Sequence, residues 1–470
     1  MRLQMLALAL PFLFSISASA EAPMKAQAAI HADLKTKIDE AANEVLAKTG
    51  VPSASIAVIK EGQIVYVNAY GNACLESKKA AAPEMRYSIG SISKQFTAAA
   101  ILLLAQEGKL SLDDKVSKYL PNLTRANEIS IRQVLSHTSG YQDYWPQDYL
   151  MPLMKTPTTA EKIMAMWAKK PLDYEPGTKW QYSNTGFVIA GAIVEKVSGT
   201  SLFTFLQERV FKPLGMKSVW DSDQKKLTEA DAVGYSRNAL GPLRPSIKEG
   251  QGWMYAAGEL AMTAEDLARW DLSVMSHSLL KPDSYRELET EVRLNNGAGT
   301  RYGLGIGVTL ENQRRVLQHD GEVMGFTAGN AIYPDDHIAV VVLINQDAVG
   351  AYEAITKKIV SALFDLQDPA TPEKLELAKK IFTDLQHGNL NRTLFTDNCN
   401  SYFDEMARQD ISKSIGGLGE PTSFVQTRQG LRGGMTVREF LVSFPKQNLT
   451  VCTYEMPDGK LEQYMIAPEK

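Results

Sequence analysis

Much of what this sequence lacks narrows what the protein can do. Cysteine is scarce: Cys74, Cys399 and Cys452 are the only three in 470 residues, too few for a fold stapled by disulfides. Cys399 and Cys452 share a C-terminal segment, so they either pair in an oxidising compartment or stay as isolated buried thiols. An excess of one charge is also missing, because 50 Lys and Arg stand against 54 Asp and Glu for a formal net charge of -4. With no basic block, nucleic acid is not an expected partner. The six histidines (His31, His137, His277, His319, His337 and His387) show no metal-ligand spacing, which argues against a hydrolytic zinc. Beyond the first residues no apolar run is long enough to span a bilayer.

The exception lies at the N-terminus, where Arg2 precedes an apolar segment from Leu3 to Ile16 and Ala18-Ser19-Ala20 stands before Glu21. That is the layout of a secretory signal with a small-residue cleavage site, and its apolar run is shorter than the roughly 20 residues of a spanning helix. Residues 1–20 are therefore expected to be removed after Ala20. The mature protein is expected in the periplasm or outside the cell, with no membrane span.

The chain is too long for one ordinary core, so a large domain with a smaller companion is expected. Leu34, Ile38, Ala42 and Val45 repeat at helical spacing over 31–48, and the alternating runs Ala54–Ile59 and Ile64–Val67 read as an antiparallel hairpin. The stretch 111–137 reads as mainly helical. Seven aromatics between Tyr141 and Trp180 either floor a cleft or fill a helical subdomain. A helix is expected after Asn184, strands across 311–344 with Ile338–Ile344 buried, and a helix over 351–366. The fold class is thus α/β (α+β), an antiparallel sheet flanked by helices with a mainly helical subdomain, over residues 21–366. Pro369 and Pro372 mark a linker over 367–376. Residues 377–470 read as a small α+β accessory domain without a catalytic cluster.

The chemistry is concentrated in three short stretches. Ser91-Ile92-Ser93-Lys94 opens the apolar run Phe96–Leu104, so a hydroxyl at the first turn of a helix has an amine one turn above it. On its own this motif is weak, and a serine that merely starts a helix is the plainer reading. Tyr182-Ser183-Asn184 follows the turn residues Pro176-Gly177, and it offers a titratable hydroxyl with an amide that both donates and accepts. His319-Asp320-Gly321 lies on a predicted strand, where glycine permits close approach of another backbone or a ligand.

Taken in order, these three motifs resemble those of the serine hydrolases that include class C β-lactamases, serine D-Ala-D-Ala carboxypeptidases, D-aminopeptidases and related esterases. Leu135–Gly140, Ala256–Leu267 and Tyr302–Gly305 resemble stretches typical of the same group, and the likeness covers about residues 30 to 365. It implies that Ser91 attacks a carbonyl carbon to form an acyl-enzyme, with Lys94 or Tyr182 as the base. It further implies that Asn184, His319 and Gly321 meet the substrate, and that the backbone N–H groups of Ser91 and Glu322 form the oxyanion hole. No cofactor is implied. The expected partner is a small molecule or peptide, including peptidoglycan fragments, and the oligomeric state is open. His319 stands where class C β-lactamases usually carry lysine, which favours a D-amino-acid peptide or small ester over a β-lactam. Asp320 departs from the glycine or threonine common there and puts a substrate carboxylate in doubt. A catalytically silent sensor is the rival of a different class.

Overall fold

The computed structural model describes residue 30 and residues 32–147, 149–367 and 371–469; the expected signal segment lies outside them. Its centre is a seven-stranded antiparallel sheet. The strands are β1 (Ser53–Lys60), β2 (Gln63–Cys74), β3 (Lys79–Ala80), β4 (Gly307–Glu311), β5 (Arg314–Val323), β6 (Phe326–Tyr333) and β7 (Ile338–Ile344), in the order β3-β2-β1-β7-β6-β5-β4. Strands from the two ends of the catalytic unit meet in the middle, with Ala54 opposite Ile344 and Ile59 opposite Ala339.

Both faces of the sheet are covered, which explains why β1 and β7 are apolar nearly throughout. On one face, Ala54, Ile56 and Val58 of β1 pack with Val340 and Val342 of β7 against the helices α1 (Ala32–Thr49) and α5 (Ala351–Gln367). On the other, Ala57, Ile59, Val341 and Leu343 join the larger core that holds α2 (Ser93–Gln106), α3 (Asn184–Ser198) and α4 (Ala264–Ser276). The helix α2 is buried on almost every side from Ser93 to Leu104, so the nucleophile turn at its start is anchored by the core itself.

Two expectations need correction. Residues 111–137 are mostly turns, with one 3-10 turn at Val116–Lys118 and a short helix at Ile131–Leu135. Their other apolar residues are anchors that pin loops, with Leu112, Ala126 and Ile129 buried outside any helix. In the expected linker, residues 368–370 lie outside the described set, and α6 (Thr371–Gln386) already includes 371–376. Pro372 stands near the first turn of that helix, where its missing N–H costs nothing.

The rest of the chain adds α7 (Glu405–Ile415) and a second antiparallel sheet, β8 (Ser423–Arg432), β9 (Met435–Ser443), β10 (Asn448–Glu455) and β11 (Leu461–Pro468), in sequential order. Phe382, Phe403, Phe440 and Tyr464 are buried in its separate core. Cys399 and Cys452 are both unpaired. No single helix among the described residues is long and apolar enough to cross a membrane.

Candidate active site

The site is assembled where the start of α2, the start of α3 and the middle of β5 converge. A 3-10 turn at Gly90–Ile92 leads into α2, which puts Ser91 just outside the helix and Lys94 in its first turn. Gly321 lets β5 close on this turn, because a Cβ there would lie 1.9 Å from the Ile89 carbonyl oxygen and 3.0 Å from the Ser91 nitrogen. Its place is therefore structural: it sets Glu322 beside the Gly90–Ile92 turn.

Lys94 is completely buried, and its Nζ donates to three oxygens, Ser91 Oγ, Asn184 Oδ1 and the Ala257 carbonyl, each at 2.8 Å. Burial drives its pKa down from 10.5 to about 7, and the carboxylates of Asp143 and Asp320 hold it up against that fall. Two of the three partners are acceptors only. When Lys94 loses its proton, only the Ser91 hydroxyl can turn round and donate to the freed lone pair.

Asn184 is held in the orientation this requires by a residue the sequence did not single out. Asp143 accepts from the Asn184 backbone N–H at 3.0 Å and from its Nδ2 at 3.3 Å, so Oδ1 is left to face Lys94. The same carboxylate occupies the N-terminal end of α3, where the helix dipole favours negative charge. Burial raises its own pKa, against hydrogen bonds from Trp145 and Asn184. An aspartate a few residues after Gly140 carries no sequence pattern of its own; its location at a helix start it does not belong to becomes visible only in three dimensions.

Burial and the charges of Asp320 and Asp143 push the pKa of Tyr182 upward, and the neighbouring Ser91 hydroxyl works against that rise. Lys94 Nζ lies over the Tyr182 ring, 4.9 Å from the centroid. Behind it runs a chain of three buried rings. His137 Nδ1 accepts from the Ser183 N–H at 3.1 Å, which puts the proton on Nε2, and Nε2 donates to the Tyr302 hydroxyl at 3.2 Å. Tyr302 in turn donates to His319 Nε2 at 2.8 Å, and His319 Nδ1 donates to the Asp320 carbonyl at 2.5 Å. Burial lowers the pKa of both histidines, His319 to about 4, so both are neutral near pH 7.

His319 was expected to reach into the cleft, and it borders one, but its Nε2 is committed to Tyr302. The reason is alternation along β5: His319 and Gly321 are buried, whereas Asp320 and Glu322 are exposed. Two hollows open here, and Ser91 lines the smaller of them. A small one of about 110 Å³ is lined by Ser91, Asn184, Trp145 and Glu322 among others. A larger one of about 570 Å³ is lined by Tyr182, His319, Asp320 and Trp180, with Thr427 of the C-terminal unit at its edge. The aromatic stretch thus serves both purposes, as Tyr141 and Tyr144 are buried in the core and Trp145 and Trp180 line hollows. Among the described residues no cluster of three or more His, Cys, Asp or Glu side chains is placed to hold a metal.

The chain is similar to known proteins. Residues 38–362 match the family model described as Beta-lactamase. The chain belongs to the beta-lactamase family. Within it, the chain is similar to a D-aminopeptidase of Brucella anthropi, 28% identical over 66% of this chain and 59% of that protein. Similar solved structures include a D-stereospecific amidohydrolase from Streptomyces sp., 27% identical over 70% of this chain and 98% of that one, with a TM-score of 0.61. The octameric penicillin-binding protein homologue from Pyrococcus abyssi is 23% identical with a TM-score of 0.62, over 93% of this chain and 96% of that chain; this last likeness concerns the fold. The chain spans about three fifths of the length of the curated relatives it matches, 59% and 63% for two of them. Ser91 to Lys94, Tyr182 to Asn184 and His319 to Gly321 all lie within the matched residues, and the fold brings them to one place.

Proposed function

We propose that this chain is an exported serine hydrolase that acylates Ser91 and acts on amides, short peptides or small esters of D-amino acids. The observation that carries this reading is the environment of Lys94. Its pKa near 7 leaves a large neutral fraction at neutral pH, and Asn184 Oδ1 and the Ala257 carbonyl fix the two remaining N–H groups. The lone pair then faces Ser91, which makes Lys94 the general base. Tyr182, with its raised pKa, stays protonated and suits donation of its phenol proton to the leaving group, the proton that Lys94 took from Ser91 then restoring it. The N–H groups of Ser91 and Glu322 would receive the oxyanion, an interaction worth about 3 kcal/mol per donor in comparable sites. The names of the D-aminopeptidase and of the D-stereospecific amidohydrolase support the choice of D-configured substrates. The residues Arg2 to Ala20 support export.

The test is hydrolysis of D-alanine amide and L-alanine amide, followed by ammonia release, with the wild type and Ser91→Ala. The D isomer should be turned over with a kcat/KM about tenfold or more above the L isomer, and Ser91→Ala should abolish both. Equal handling of the two isomers would overturn the substrate class. Unaltered activity in Ser91→Ala would overturn the mechanism, and the absence of any Ser91-dependent turnover or covalent adduct would favour the silent sensor.

A further inference from the structure

Of the three oxygens around Lys94, Ser91 Oγ and Asn184 Oδ1 are side-chain atoms, whereas the Ala257 carbonyl is backbone, so its position is that of the segment carrying it. That segment, Gly252–Gly258, has a conformation the chain does not adopt unaided. Gly252 has a φ of +90° and Tyr255, which bears a Cβ, a φ of +33°, a sparsely populated backbone state that persists only where the surroundings over-determine it. A Cβ on Gly252 would lie 2.2 Å from the Thr158 carbonyl oxygen. The short helix Tyr255–Gly258 begins without a cap from its own N-cap side chain, Met254, although the N–H groups at a helix start need an acceptor from outside the helix.

The acceptor comes from a residue about thirty positions earlier. Asp223, 8% exposed, takes the Gly252 N–H between its two oxygens at 3.0 and 3.1 Å, the Met254 N–H at 3.1 Å and the Tyr255 N–H at 3.3 Å. Three backbone donors thus converge on one carboxylate, and N–H bonds to an ionised acceptor are the strong kind. Burial raises the Asp223 pKa, and these N–H groups work against the rise. The two-residue strand Trp220–Asp221 carries Asp223 to this place by pairing with Leu260–Met262 just beyond the short helix, and the Ser222 N–H donates to the Glu259 carbonyl at 2.8 Å. The loop at Asp223 is therefore tied to both ends of the segment. From the segment two consecutive carbonyls reach back to α2: Ala256 accepts from Thr97 Oγ1 and Ala257 from Lys94 Nζ, both at 2.8 Å. Ala257 and Gly258 also line the smaller hollow with Ser91.

We propose that Asp223 is a positioning residue for the catalytic base: its carboxylate holds Gly252–Gly258 in the conformation that aims the Ala257 carbonyl at Lys94. With that carbonyl in place, one Lys94 N–H is committed to it and the lone pair of the neutral amine is left to Ser91. With the carbonyl displaced, the amine rotates and the lone pair loses its aim. Asp223 itself has no hydrogen bond to Lys94 or Ser91, so it acts through the backbone. The inference rests on the acyl-enzyme reading given above and adds a residue that acts through Lys94.

The experiment uses p-nitrophenyl acetate, whose leaving phenolate needs no proton, so that the rate of acylation reports the base. The burst of p-nitrophenol is followed over a range of pH for the wild type, Ser91→Ala, Asp223→Asn and Asp223→Ala, at a temperature where circular dichroism shows each variant folded. Asp223→Asn keeps one acceptor oxygen and should acylate about tenfold more slowly, and Asp223→Ala, which keeps none, about a hundredfold. In both, the acid limb should move to lower pH by up to about one unit, because a carbonyl that accepts from the ammonium favours the charged form and its withdrawal lowers the Lys94 pKa. Asp223 is not among the carboxylates whose charge holds that pKa up, which are Asp143 and Asp320, so the shift reports the carbonyl. If Asp223→Ala does not fold, Asp223→Asn decides alone. An unmoved acid limb in the folded variants, or a rate that falls only in proportion to the folded fraction, overturns this inference and leaves Asp223 a structural residue. If the wild type gives no burst that depends on Ser91, the hydrolase reading falls and takes this inference with it.

Discussion

The interiors of the two units differ in kind. Under the catalytic cleft the catalytic unit buries Lys94, His137, His319 and Asp271, groups that cost free energy to remove from water unless each finds a partner. The C-terminal core is apolar and rich in aromatics, with Phe382, Phe424, Phe440 and Phe444 linked by ring contacts. Its buried Arg438 is answered by Glu455, which also pairs with Lys374. One interior is arranged to hold protons in chosen places, and the other to exclude water. Titratable groups kept in such positions mark where a fold gives up stability for chemistry.

The contrast can be tested from either side. The largest effect is expected for Lys94→Ala, which should lower Ser91-dependent turnover by about a thousandfold. It should also change how stability responds to pH. With the native pKa lowered from 10.5 to about 7, the unfolded chain binds more protons between those values, so wild-type stability climbs as pH rises through that window. In Lys94→Ala the climb should flatten in denaturant titrations. Next comes Phe440→Ala, which should cost about 3 to 5 kcal/mol of the C-terminal unit's stability and leave the acid limb of the pH–rate profile in place. A shifted limb would mean the two interiors are coupled. Asp143→Asn should lower kcat/KM about tenfold and move the acid limb to lower pH by up to about one unit, because the carboxylate that holds the lysine pKa up is gone. An unmoved limb would leave Asp143 a merely structural residue. The smallest effect is expected for Asp271→Asn. Burial raises the Asp271 pKa from 3.8 to about 8, so the native state binds the extra proton between those values and wild-type stability falls as pH rises through them. The variant should lose that slope, a difference of a few degrees in Tm at alkaline pH.

How far the sequence carried differs between elements and contacts. In the main sheet β1, part of β2 and the span of β5 to β7, together with the helices α2, α3 and α5, were legible because apolar periodicity reports burial directly, as in Ile338–Ile344, whereas β3 and β4 were not. The three motifs were legible because they are contiguous. Asp143 was not, since its role consists of meeting Asn184, 41 residues further on. Tyr302 lay in a noticed stretch, yet its bridging of His137 and His319 depends on where three separate segments fold. The region 111–137 misled because anchored loops and short helices share the same sprinkling of buried apolar residues. His319 belongs to a contiguous motif, yet the side to which its ring turns follows from the strand phase, and Asp320, its exposed neighbour, points to the other face of β5.

The pairing of β1 with β7 has a consequence for how the molecule comes into being. Ala54 has no sheet neighbour on one side until Ile344 exists, and β5, which carries the third motif, joins the sheet only through β6 and β7. Such long-range closure makes folding slow relative to helical proteins of similar size. A nascent or truncated chain that ends before β7 cannot seat β5 against the turn at Ser91. The nucleophile is therefore armed last, when nearly the whole catalytic unit has been made.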